Sequence, residues 1–198
     1  MMAAMWPRPV PASLRFVKAR QGDNPAMRIA PRPGSSYQEP FELLAACHER
    51  VERSLSLLER LCTHLDTVGP DAMARDAARD VLRYFDIAAP LHHQDEELHV
   101  FPALAADPVL ASVCVCLQAQ HREIEAQWQP LRALLQALDP AELASLSRAA
   151  EAFARLHEEH LRSENALIFP AARVLLGEAE GQAMGVEMAA RRGLTLTE

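Results

Sequence analysis

Proline and glycine fall in this chain where helices begin and end, and that placement limits the fold more than any other feature. From Pro40 onward the sequence is rich in Ala, Leu, Glu and Arg, all strong helix formers, and it holds no run of β-branched residues that would seed a strand. Asp107-Pro108 and Asp139-Pro140-Ala141-Glu142 each set an Asp N-cap before a proline at the first helical position, where a missing N–H costs nothing. Gly69-Pro70-Asp71 makes a third break and Gly177 a stop. These boundaries predict four helices near residues 41–66, 71–105, 108–138 and 140–176, followed by a short tail helix near 178–191. Pro90 lies inside the second, so a kink is expected just before residue 91. Short connections make consecutive helices antiparallel neighbours, which gives an all-α, up-down four-helix bundle.

The segment before the bundle has a different character. Six of the fourteen prolines, from Pro7 to Pro33, fall within residues 1–39 and forbid long helices there. The expected organisation is an extended basic arm over residues 1–39, a bundle over 40–177, and a short helix and tail over 178–198. The arm carries six basic and two acidic side chains, a charge of +4, so the rest of a chain with net charge -7 stands at -11. An acidic body disfavours nucleic acid as a partner, because duplex binding rests on Lys and Arg neutralising phosphates. No apolar run approaches the roughly 18 to 20 uncharged residues of a membrane span. Arg8, Arg15, Lys18 and Arg20 open the chain without an apolar core or cleavage site, so a cytoplasmic location is expected. Cys47, Cys62, Cys114 and Cys116 form no CxxC pair and read as reduced, mostly buried thiols.

Polar residues interrupt the apolar stripe of every bundle helix. The first helix places Phe41, Leu44, His48, Val51, Leu55, Leu58 and Cys62 at spacings of three and four. The second gives Val81, Phe85, Ala89, His92 and Glu96, and the third Leu110, Cys114, Leu117, His121, Ile124 and Trp128. The fourth gives Leu146, Phe153, His157, His160, Glu164, Leu167 and Ala171. A lone histidine on such a stripe is usually a satisfied core residue, but here all four helices contribute one. Two glutamates on the same faces would each cost several kcal/mol if unpaired, and no Lys or Arg shares the stripes. A bound cation removes that cost. Along the bundle axis the candidates spread over about six residues, roughly 9 Å at 1.5 Å per residue, which helix stagger can absorb.

An internal repeat sharpens the pattern. His92-His93-Gln94-Asp95-Glu96, reaching Phe101-Pro102, aligns without gaps on His160-Leu161-Arg162-Ser163-Glu164, reaching Phe169-Pro170. His and Glu at i and i+4 share one helical face. Four imidazoles and two carboxylates form a mixed nitrogen and oxygen set that suits two iron ions better than metals preferring thiolates or oxygen alone.

The arrangement His48, His92xxxGlu96, His121, His160xxxGlu164, with Phe-Pro after each pair, resembles the bacterial hemerythrin-like (HHE cation-binding) domains over about residues 37–192. The resemblance implies a four-helix bundle holding two iron ions with a bridging hydroxide or oxo group. It makes His48, His92, His121 and His160 terminal ligands and Glu96 and Glu164 the bridges. The function it implies is binding of O2 or a related small oxidant for sensing, delivery or redox defence. Animal oxygen carriers of this kind have a further histidine four residues after the third-helix ligand, and here that position is Glu125. Each iron would then keep an open position, suited to peroxide, NO or redox chemistry, unless Glu125 fills one instead of standing solvated.

Other residues near the faces have competing readings. His93 and Glu97 lie one step off the ligand face and read as rim or supporting residues, while His157 reads either as a core histidine or as a partner of the site. His64 and His99 read as surface or helix-end residues, Cys114 as a packing thiol, and Trp128 and Phe153 as core. The alternative function is a di-iron oxidase or peroxidase of ferritin-like type. That family needs two ExxH motifs, and only Glu96-Glu97-Leu98-His99 supplies one. A metal-free helical interaction module would have to supply a counter-charge for Glu96 and Glu164.

Overall fold

Asp side chains accept the first free N–H groups at three of the helical starts. In a computed structural model, which describes residues 37–194, α1 (Pro40–Thr67) opens on a proline. Asp71 caps α2, which spans 72–103, by accepting the Ala74 N–H at 2.8 Å. Asp107 accepts from Val109 and Leu110 at the start of α3 (Pro108–Ala137). Asp139 accepts from Ala141, but it opens a 3-10 turn, Pro140–Glu142, before α4 takes over at 143–175. α5 (Glu178–Arg191) follows Gly177. Apart from that 3-10 turn, every end lies within two residues of the expected boundary. The extended arm expected for residues 1–39 falls, up to residue 36, outside the described residues.

Proline inside a helix removes an N–H and crowds the carbonyl four residues back. Pro90, Pro102 and Pro170 each lie two residues after a π turn, at Tyr84–Ala88, Glu96–Val100 and Glu164–Ile168. In each turn the closing N–H reaches five residues back, from Ala89 to Tyr84, Phe101 to Glu96, and Phe169 to Glu164, which widens the helix ahead of the ring. The irregularity expected before residue 91 is thus a π turn. Pro130 runs in plain α geometry, and nothing in the structure explains the difference.

The π turns also correct the expected stripe of α4. Each adds one residue to its turn, so the buried face moves on by one position. Leu167, expected inside, is 50% exposed and Ala171 is half-buried, while Ile168 and Ala172 are fully buried in their place. Both HxxxE repeats carry this insertion from the glutamate onward: the Glu side chains face inward and the Phe that follows packs in the core, while Pro102 and Pro170 stay exposed.

The four long helices close a ring in which α1 packs on α2 and α4, and α3 on α2 and α4. Short links between packed neighbours make this the expected antiparallel all-α bundle, and no strand occurs among the described residues. Two apolar clusters fill it. One contains Leu58, Phe85, Trp128 and Phe153, and the other Leu44, Val100, Leu117 and Ile168. On all four helices the change from one cluster to the other occurs at the candidate ligands, so these residues form a polar layer sealed at both ends by apolar packing.

α5 packs Met184 and Met188 into the second of these clusters. Its Arg191 and Arg192 hold the fully buried Asp95 at 2.5 and 2.6 Å, and Glu187 holds His99 at 2.7 Å. The Tyr37 backbone crosses α5 so closely that a Cβ at Gly185 would lie 1.7 Å from the Tyr37 carbonyl oxygen, a position only glycine can fill. No helix among the described residues is long and apolar enough to cross a membrane.

Candidate metal centre

Glu96 and Glu164 are completely buried, and their four carboxylate oxygens make no hydrogen bond. Desolvating two carboxylates without partners costs several kcal/mol, so their surroundings must supply positive charge. Histidines from all four helices surround them. His48 Nε2 lies 3.2 Å from Glu164 and 3.7 Å from Glu96, and His92 Nε2 lies 3.3 Å from Glu96. On the other side His121 Nε2 lies 3.4 Å from Glu96, and His160 Nε2 lies 3.0 Å from Glu164. His48, His92, Glu96 and Glu164 offer ligand atoms all within 4.8 Å of one another, and so do Glu96, His121, His160 and Glu164. The two sets share both glutamates.

The donor set fits two cations. His121 Nε2 and His160 Nε2 face each other at 3.1 Å, where two lone pairs would repel. Two nitrogens about 2.1 Å from one ion and at right angles to it lie about 3.0 Å apart. Hydrogen bonds on the far side of three rings turn Nε2 inward. His121 Nδ1–H donates to Glu97 at 2.7 Å, His48 Nδ1–H to Asn165 at 2.9 Å, and His160 Nδ1–H to Gln120 at 3.1 Å. Such partners set ring orientation and raise ligand basicity. His92 has none, and packs edge-on to His48 at 4.9 Å.

Without metal, the site balances its own charge with protons. Burial alone would keep His48 and His121 neutral, but the carboxylates of Glu164 and Glu96 beside them outweigh it and raise both to about 10. Burial pushes Glu96 and Glu164 up, and for Glu96 the charge of Glu164 adds to that, yet the surrounding histidines bring both below the usual carboxylate range. The counter-charge missing from the stripes as Lys or Arg is therefore present as imidazolium.

The residues with two readings separate cleanly. His157 is buried, donates Nδ1–H to the Phe153 carbonyl at 2.9 Å, and burial drops its pKa to about 4. It joins neither ligand set. Glu125 is exposed and also joins neither. Glu97 supports His121, in keeping with its position one step off the face. His93 stacks its ring on His121 at 4.0 Å and 11° and has a nitrogen within 4.8 Å of a nitrogen of each of His121 and His160, but joins neither set that contains Glu96 and Glu164. His99, the only ExxH histidine, turns to Glu187 on α5, and His64 Nε2 lies 3.0 Å from Asp71. Cys47 and Cys114 are buried, and burial raises both thiols, Cys47 to about 11. Sequence reasoning misses Gln120 and Asn165. The only signal is adjacency, since each stands next to a candidate ligand.

A cleft of about 440 Å³ opens beside the His121 half. His93, Glu97, His121 and Glu125 line one part of it, and Phe85, Trp128 and Phe153 make an apolar part. Asp86 is held at its edge by Trp128 and Arg132, both at 2.9 Å.

Comparison with known proteins finds the hemerythrin HHE cation-binding domain over residues 39–172. An uncharacterized protein of Haemophilus influenzae is 31% identical over 166 residues, which cover 83% of this chain and 96% of that one.

Proposed function

Because this chain belongs to the hemerythrin HHE cation-binding family, we propose that its buried layer holds two iron ions that bind O2 or a related small oxidant. His48 and His92 would hold one ion and His121 and His160 the other, with Glu96 and Glu164 within reach of both. The observation that carries this reading is the pair of fully buried, hydrogen-bond-free carboxylates shared by two histidine pairs. Four imidazoles and two carboxylates form a mixed nitrogen and oxygen donor set that suits iron better than metals preferring thiolates or oxygen alone. A bound iron pair, together with a hydroxide or oxo group, would supply the electrons for reaction with the oxidant.

The chain's own residues do the rest. Glu97, Asn165 and Gln120 hold three imidazoles by Nδ1–H, leaving Nε2 as the donor. The apolar clusters above and below keep bulk water from the carboxylates. An acidic body supports a small neutral ligand over a nucleic acid.

Metal content per chain, measured on protein purified without added metal, tests the reading when combined with the optical spectrum before and after anaerobic reduction and re-exposure to O2. About two irons per chain and charge-transfer bands that return on every cycle are expected. Absence of metal would overturn the site. The cleft favours a second reading, a di-iron oxidase or peroxidase, because about 440 Å³ exceeds what a diatomic ligand needs and would admit an organic reductant. Two irons that oxidise once, and turn over only when a reductant is added, would select it.

A further inference from the structure

We propose that the cleft beside the His121 half binds a neutral one-ring hydroquinone, the organic reductant of the second reading above. An occupant has to match the walls. Phe85, Trp128 and Phe153 form the apolar end, with ring centroids 4.9, 5.2 and 5.6 Å apart, and an aromatic ring gains more on such a surface than an aliphatic chain does. The charges of the lining cancel. Asp86 is held by Trp128 and Arg132 and Glu97 by His121, which leaves the exposed Glu125 and Arg122 with opposite signs. A carboxylate, phosphate or ammonium on the ligand therefore finds no counter-charge to offset its desolvation. A volume of about 440 Å³ is at the small end for ligand sites and suits one ring better than a fused cofactor.

The polar end supplies the partner for a hydroxyl. His93 lines the cleft half-buried and makes no hydrogen bond to another described residue, so its imidazole is free to accept an O–H. It stacks on His121 at 4.0 Å, and His121 turns Nε2 to Glu96, so a donor lying against His93 is one imidazole away from the polar layer. A hydroquinone that becomes a quinone gives up two electrons and two protons. On the two-ion reading, on which this step rests, the electrons reduce two Fe(III) to two Fe(II) and the protons leave to solvent through the open side of the cleft. A monophenol would give one electron and leave a radical, so a pair of ions favours the hydroquinone.

The experiment uses the full chain with Trp6→Phe, which makes Trp128 the only tryptophan and a reporter at the cleft. Hydroquinone is titrated without oxygen into metal-stripped protein and followed by Trp128 emission and calorimetry. The comparison ligands are 1,4-dimethoxybenzene, which keeps the ring but has no O–H, and benzoate, which carries a charge. Hydroquinone should bind one per chain with a Kd of about 1 mM or tighter, and both comparison ligands at least about 10-fold more weakly. Ala89→Leu and Gln129→Phe narrow the cleft from its buried floor and its exposed rim, and each should weaken hydroquinone at wild-type helicity and metal content. In oxidised, iron-loaded protein hydroquinone should bleach the charge-transfer bands faster than in either variant. Equal affinity for hydroquinone and 1,4-dimethoxybenzene, or wild-type affinity in both narrowed variants, would overturn the inference. Saturable binding that leaves the bands unchanged would overturn it too. A chain that binds hydroquinone but holds no iron would overturn the two-ion reading and the electron transfer with it, and leave the binding site standing.

Discussion

Replacing Glu97 by alanine removes the acceptor of the His121 Nδ1–H, a 2.7 Å hydrogen bond to a carboxylate. A hydrogen bond to a charged group contributes about 1.5–3 kcal/mol when buried. The Glu97 side chain is 35% exposed, so solvent screening brings the figure to about 1–2 kcal/mol. At 1.4 kcal/mol per tenfold, the expected loss of metal affinity is about 5- to 30-fold. It should fall on one ion only. Calorimetric titration with Fe(II) under anaerobic conditions should show one binding step weakened and the other unchanged. Glu97→Gln keeps an acceptor but loses the charge, so its loss should be smaller. Coupling identifies the ion: Glu97→Ala should add to His48→Ala, which acts on the other ion, but not to His160→Ala, which acts on the same one. Equal weakening of both steps, or full additivity with His160→Ala, would refute the idea that Glu97 acts through His121.

Without metal, His48 and His121 titrate near 10, above the usual 6.5 of an imidazole. A raised folded pKa contributes stability that is complete below about 6.5 and is lost as pH rises towards 10. The Tm of stripped protein should therefore fall between pH 6.5 and 9.5 and that of loaded protein should not; equal Tm values in the stripped protein would contradict proton balancing. Deleting Leu167 should close the π turn while leaving Ile168 and Ala172 inward, so metal content should survive. Deleting Leu161 instead rotates Glu164 by about 100° and should abolish metal binding, and elemental analysis of both tells them apart. Asp95→Ala leaves Arg191 and Arg192 without their buried partner and should cost about 3 kcal/mol in chemical denaturation. A loss below about 1 kcal/mol would show that α5 docks by apolar contact alone.

Local chemistry makes the helices legible in the sequence. Asp107-Pro108 and Asp139-Pro140 act within a few residues, so their caps stand where the sequence puts them, although the second opens a 3-10 turn first. The six ligand candidates are legible for a related reason, because a polar side chain on an apolar stripe conflicts with its surroundings whatever the packing. Periodicity also suffices to place His92 and Glu96, or His160 and Glu164, on one face. It assumes a uniform helix, however, and fails where that assumption does. A repeat of 3.6 residues per turn puts Leu167 inside, and a π turn ahead of Pro170 gives that place to Ile168 instead.

Tertiary structure decided what depends on distance between helices. Gln120 and Asn165 look like ordinary polar surface residues in the sequence, and only the approach of α3 to α4, and of α4 to α1, brings them to His160 and His48. The angle of His93 around α2 points it away from the ligand face, yet the width of the polar layer gives it a place beside His121. The charge balance follows the same division. Composition along the stripes shows two glutamates without Lys or Arg, but whether a histidine carries a proton is set by its separation from a carboxylate. Those separations, near 3 to 4 Å, exist only once four helices have packed.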